Sequence, residues 1–165
     1  MTKSHKCGTL ETMKHDNRRE KYYENLVKML ELGYSKTDLI HYFPSFVGIQ
    51  TLNRCFTLYE LYKKTLGISG HVAEIGVHKG FGSLLFAKLA QLYEPESLTM
   101  CHGFDHFGGI DSDTDSLLQV PGGDASDEKQ LRELIRLQNL DGVLKIHNLD
   151  VRKDLSEFFI GNSHL

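Results

Sequence analysis

Within "HVAEIGVHKGFGS", residues 71 to 83, a carboxylate, three glycines and a hydroxyl fall at spacings that could hold a small charged ligand. They are Glu74, Gly76, Gly80, Gly82 and Ser83, and the glycine spacing is GxxxGxG. Two more acids follow, Asp105 in "GFDHF" and Asp150 in "HNLDV". Glycines in a turn permit positive φ and let the backbone approach a ligand closely. The same residues also serve a tight strand-to-helix connection that binds nothing, so the turn alone is a weak signal.

Charge narrows the choice of ligand. A nucleoside triphosphate calls for GxxxxGK[ST] and a dinucleotide for GxGxxG, and neither occurs in the chain. A pyrophosphate on this turn would meet Glu74 as a like charge. S-adenosylmethionine carries no phosphate and would bring a sulfonium and an ammonium there instead. At 4 Å and an effective dielectric near 20 a charge pair is worth about 4 kcal/mol before desolvation. The sign of that interaction favours the cationic ligand. Its methionine carboxylate is expected to take backbone N–H groups at the start of the next helix, around Gly82 and Ser83. Asp105 stands where a carboxylate can accept both ribose hydroxyls, or where a turn aspartate caps a strand end. Asp150 fits the adenine edge or, equally, the N-cap of a following helix.

These residues need a sheet to position them. "HVAEIGV", "LTMCHGFDHF" and "GVLKIHNLDV" read as strands, each followed by an amphipathic helix: "SLLFAKLAQLY", "EKQLRELIRLQNL" and "RKDLSEFF". Alternation of this kind indicates an α/β fold, a Rossmann-like doubly wound parallel sheet. Ligands then sit beyond the carboxyl ends of the strands. Helices come first, in "REKYYENLVKMLELG", "SKTDLIHYF" and "IQTLNRCFTLYELYKKTLG". Ile49, Leu52, Phe56, Tyr59, Tyr62 and Leu66 recur at helical spacing, which places them toward a core. The resulting division is a mobile polar tail (1–20), a helical segment (21–67) and a cofactor-binding segment (68–165). Residues 108 to 127 read as a long surface loop.

Composition sets outer limits. The chain has 165 residues and a net charge of −3, which leaves no basic footprint for nucleic acid. No run is long and apolar enough to read as a membrane span. Cys7, Cys55 and Cys101 lack a CxxC pair and suit free thiols in a reducing cytoplasm. Nine histidines are present without an HExxH motif. His71, His78, His102, His106 and His147 are expected at the surface near strand ends, and no metal site is expected from them. No residue reads as a convincing catalytic base, although His78 and His106 are candidates.

"HVAEIGVHKGFGSLLFAKLA" followed by "GFDHFGG" resembles the macrocin O-methyltransferase family and its deoxyhexose O-methyltransferase relatives, class I methyltransferases that decorate sugars of natural products. Glu74, Gly76, Val77 and Gly80 match their E-x-G-V-x-x-G pattern. Phe104, Asp105, Phe107 and Gly109 match F-D-T-F-E-G, with His106 and Gly108 in place of Thr and Glu. "LNRCFTLYELYKKTLGISG" is also similar to the helix preceding the first strand in that family. Arg54 and Tyr59 on it are either cofactor-covering or ordinary surface and packing residues. The likeness is good over residues 50 to 107 and loose over 130 to 160.

The resemblance implies methyl transfer from S-adenosylmethionine to a hydroxyl of a sugar or other small molecule, and a homo-oligomer is the expected assembly. Sheets of that class carry more strands than the three legible here, so the chain reads as the N-terminal, cofactor-binding half of an enzyme. The family's Mg2+ ligands and general base lie in later segments. A non-catalytic binding or interaction protein and a dinucleotide oxidoreductase remain as alternatives.

Overall fold

The computed structural model describes residues 13–109 and 125–162. Most of the expected tail and most of the expected loop lie outside the described residues. The end of that tail is helical, because α1 spans Met13–Leu30. The chain divides into two compact units, Met1–Thr57 and Leu58–Leu165.

The first unit is helical. After α1 come α2 (Lys36–His41), α3 (Phe43–Phe46) and the first part of α4 (Ile49–Lys63). Ser35 starts α2 with a capping box, accepting from Asp38 N–H while the Asp38 carboxylate accepts from Ser35 N–H. Pro44 sits in the first turn of α3, where its missing N–H has no helical partner to lose. Tyr22 donates its hydroxyl to the Phe46 carbonyl at 2.8 Å, and its ring takes up the space a side chain at Gly48 would need.

The expected core stripe of α4 holds only in part. Ile49 and Phe56 are 70% and 58% exposed, whereas Tyr62 is 1% exposed. Tyr62 packs with Leu89 and Ala90, so the second half of α4 belongs with the second unit. Helical spacing names a face without saying how much of it is covered.

In the second unit β1 (Val72–Ile75), β2 (Cys101–Asp105) and β3 (Leu144–Asn148) form a parallel sheet in the order β1-β2-β3. The helices α5 (Phe81–Tyr93), α6 (Glu128–Leu137) and α7 (Val151–Gly161) follow them in turn. Parallel neighbours need such crossovers. Alternation along the strands splits the sheet into two faces. Val72, Cys101, Leu144 and Ile146 face the apolar cluster that contains Ala87 of α5 and Leu131 and Ile135 of α6.

The opposite face carries Ala73, Ile75, His102, Phe104, Lys145 and His147. There Phe158 of α7 meets Phe104 and His147 edge-on, at 5.2 and 4.6 Å between ring centroids.

This second face corrects the reading of two histidines. His102 is buried at 7% exposure and His147 is half-buried, and their ring nitrogens Nδ1 and Nε2 lie 3.0 Å apart. Burial, then the charges of His147, His71 and Lys145, hold the His102 imidazole down at about 4. Burial and then Arg132 lower His147. The rings of His71, Phe104 and Phe158 pack around the pair, and short strands of mixed polarity do not show in advance which polar side chains will be covered. His102 and His106 are four residues apart, a spacing that pairs ligands on a helix. Here one is buried within β2 and the other is exposed beyond it.

Candidate cofactor site

The C-terminal edge of the sheet gathers most of the residues singled out above. β1 ends at Ile75, and Gly76 turns the chain with φ +81. A Cβ on Gly76 would meet nothing within 4 Å, so this position demands glycine for its dihedral and leaves open space above the turn. Gly80 is the N-cap of α5 with φ +84. A Cβ there would fall 3.1 Å from Leu84 Cδ1 and against Leu131 Cδ1. The two glycines are thus required for different reasons.

Glu74 points at the first turn of α5. Its carboxylate accepts the Ser83 hydroxyl and lies where any Cβ on Gly82 would be. Ser83 is 2% exposed. Its hydroxyl therefore holds Glu74 in place, a task distinct from the N–H donation to a ligand read from the sequence. An acid beside the first turn of a helix also sits favourably against the helix dipole. The residue that makes this approach feasible is Gly103 in β2. A Cβ there would come within 2.7 Å of Val77 Cγ2 and 2.9 Å of Ser83 Oγ. A glycine inside a strand is the signal that would have found it.

Asp105 is tied into the turn. Its Oδ2 accepts the His78 N–H and its Oδ1 accepts the Phe107 N–H, both at 2.7 Å. Each oxygen keeps a further lone pair for another donor. The carbonyl of Asp105 accepts Leu149 N–H at 3.0 Å, which sets the end of β3 beside it.

Asp150 then begins α7 as its N-cap, accepting Arg152 N–H at 3.0 Å. The same carboxylate takes Arg152 Nε and Nη2 and lies 3.4 Å from Lys153 Nζ. The hydrogen bonds from Arg152 hold it well below the usual carboxylate range. Of its two expected roles, the cap is the one present in the structure.

Of the other candidates, Tyr59 falls away from this edge, whereas His78 and His106 lie at it. Tyr59 shares a 3.0 Å hydrogen bond with Tyr93, at the far end of α5 from the glycine turn. A helix of that length is about 20 Å long, so the Tyr59 hydroxyl is engaged far from the turn. Burial pushes the Cys101 thiol up to about 12, which leaves it unreactive. His78 is half-buried at φ +52 and not fully solvated as read from the sequence, while His106 is exposed and accepts Gly108 N–H. Among the described residues no three His, Cys, Asp or Glu side chains are grouped to hold a metal ion. No helix of the described residues is long and apolar enough to cross a membrane.

Neither the protein-family models nor the curated proteins contain a match to this sequence. Solved structures do match it. The calicheamicin methyltransferase CalS11 aligns with a TM-score of 0.74 at 20% identity, over 93% of this chain and 65% of that one. This is a methyltransferase fold. The apo form of CalS11, a TDP-rhamnose 3'-O-methyltransferase of calicheamicin biosynthesis, aligns at 0.66 with 21% identity, over 93% and 64%. The chain therefore spans just under two thirds of the length of each. At these identities the likeness establishes the methyltransferase fold, in which β1, the glycine turn and α5 are the parts described above.

Proposed function

We propose that this chain binds S-adenosylmethionine at the C-terminal edge of its sheet, for methyl transfer to a hydroxyl of a sugar or similar small molecule. The observation that carries the reading is the Glu74 carboxylate at the first turn of α5, beside the open space over Gly76. That arrangement repels a pyrophosphate and attracts a sulfonium or an ammonium. Support for the class of acceptor comes from the TDP-rhamnose 3'-O-methyltransferase that shares the fold.

When bound, the cofactor would supply an electrophilic methyl group. The chain's part is binding and orientation. Glu74, fixed by Ser83, would hold the cationic end. Asp105 would accept ribose hydroxyls on the lone pairs that His78 and Phe107 leave free. Asp150 would place α7 beside the adenine end through its cap. Catalysis in this reading rests on positioning, and no residue described above is assigned as the base that takes the hydroxyl proton. The family's Mg2+ likewise has no ligands assigned among these residues.

Calorimetry with S-adenosylhomocysteine and with NAD tests the reading. Saturable binding of the first and none of the second is expected. NAD binding with no affinity for S-adenosylhomocysteine would replace the reading with that of a dinucleotide enzyme.

A further inference from the structure

The glycine turn contains one residue that ought not to adopt its geometry. His78 lies between Gly76 and Gly80 at φ +52, in the left-handed region. A residue with a Cβ is disfavoured there, and something must hold it. Two hydrogen bonds do so. The His78 N–H donates to Asp105 Oδ2 at 2.7 Å, and the His78 carbonyl accepts from Ser126 Oγ at 2.8 Å. The first partner is a residue that the sequence already marks. The second is 48 positions away along the chain.

Ser126 is itself held firmly. It is half-buried and immediately precedes Asp127, whose carboxylate caps α6 through Lys129 N–H and Gln130 N–H at 2.8 and 3.1 Å. The next turn of α6 carries Leu131, buried against the Gly80 end of the same turn. The hydroxyl is thus presented to His78 from a fixed helix start. Removing it takes away the 2.8 Å hydrogen bond that anchors the His78 carbonyl and so eases relaxation of His78 toward an ordinary negative φ. That rotation would turn its N–H away from Asp105 and shift the backbone between Gly76 and Gly80.

We propose that Ser126 is a positioning residue for the cofactor, acting through the His78 carbonyl to hold the left-handed glycine turn. The assignment rests on the cofactor reading given above and adds to it a residue outside the resembling motifs.

The test uses the whole 165-residue chain. Ser126→Thr keeps the hydroxyl, and Ser126→Val is its isostere without one. Calorimetry with S-adenosylhomocysteine should show affinity within about twofold of the parent for Ser126→Thr and about fivefold to tenfold weaker for Ser126→Val, the scale of one hydrogen bond. Amide hydrogen exchange at His78, read by NMR without ligand, should be faster in the Val variant than in the Thr variant. Ser97→Ala, which removes an exposed hydroxyl that pairs with Thr99, should change neither. Equal affinity of the Thr and Val variants, beside normal binding by the parent, overturns the role of Ser126. A parent chain that binds no S-adenosylhomocysteine, with the His78 exchange difference intact, overturns the cofactor reading and with it the assignment to a cofactor, leaving a purely structural clamp.

Discussion

At the scale of single residues, Glu74 and Asp150, two of the three acids at the proposed cofactor edge, differ in how freely they can serve a ligand. Glu74 is held by a neutral serine and keeps its charge available, whereas Asp150 is already engaged by Arg152 and by its cap. Glu74→Gln is therefore expected to weaken S-adenosylhomocysteine binding by roughly 1.5–3 kcal/mol, the worth of a charge-assisted bond. Asp150→Asn should cost less, because Asn caps a helix nearly as well as Asp. Isothermal calorimetry showing equal losses would reverse the assignment of roles.

His102 offers a second test at the same scale. Its imidazole titrates near 4 in the fold, held down by burial, against about 6.5 unfolded. The unfolded chain thus binds more protons between those values, and the linked stability is fully present above about pH 6.5. It is lost as pH falls toward 4, by at most about 3 kcal/mol at 1.36 kcal/mol per unit. Urea melts at pH 7 and pH 4.5 should show this slope, and His102→Phe should flatten it. An unchanged slope in that variant would mean that another group is responsible.

At the scale of elements, the strand–turn–helix from β1 to α5 depends on glycine in three ways. Gly76 needs its dihedral, Gly80 needs both dihedral and space, and Gly82 needs space for Glu74. Gly76→Ala should cost about 1–2 kcal/mol through φ alone. Gly80→Ala should cost more, since Leu131 and Leu84 must also move. Chemical denaturation of the two variants checks the order. Gly76→Val is a more severe change, because a β-branched residue at φ +81 is a conformational outlier. It is expected to abolish cofactor binding, and binding at the parental level would place the cofactor away from the turn.

At the scale of the whole molecule, β1 and β3 are the edge strands of the sheet among the described residues, and the β1 edge is apolar. Among the described residues β1 pairs only with β2, so half of its backbone N–H and C=O groups face away from any strand. Ile75, on the face opposite α5 and α6, is 65% exposed. An apolar open edge is a template for pairing with another chain. The chain expressed alone is expected to self-associate, and Ile75→Lys should shift it toward monomer in analytical ultracentrifugation. A monomeric parent with a sharp thermal transition would show that this edge is not sticky.

Local pattern by itself determined the elements and their order. Val72 and Ile75 before a glycine turn, Ser35 before Asp38, and the apolar periodicity of "EKQLRELIRLQNL" each act within a few residues, where backbone sterics and capping operate. The types and spacing of Glu74, Gly76, Gly80 and Asp105 were legible for the same reason, since a strand end and its turn are contiguous in the chain. Tertiary structure decided what those groups touch. It buried His102 among the rings of His71, Phe104 and His147, gave the Ser83 hydroxyl to Glu74, engaged Asp150 in a cap and brought Ser126 to His78 across 48 positions. Those outcomes depend on which helix packs on which face and on where distant segments meet, and packing of that kind leaves no periodic trace in the sequence.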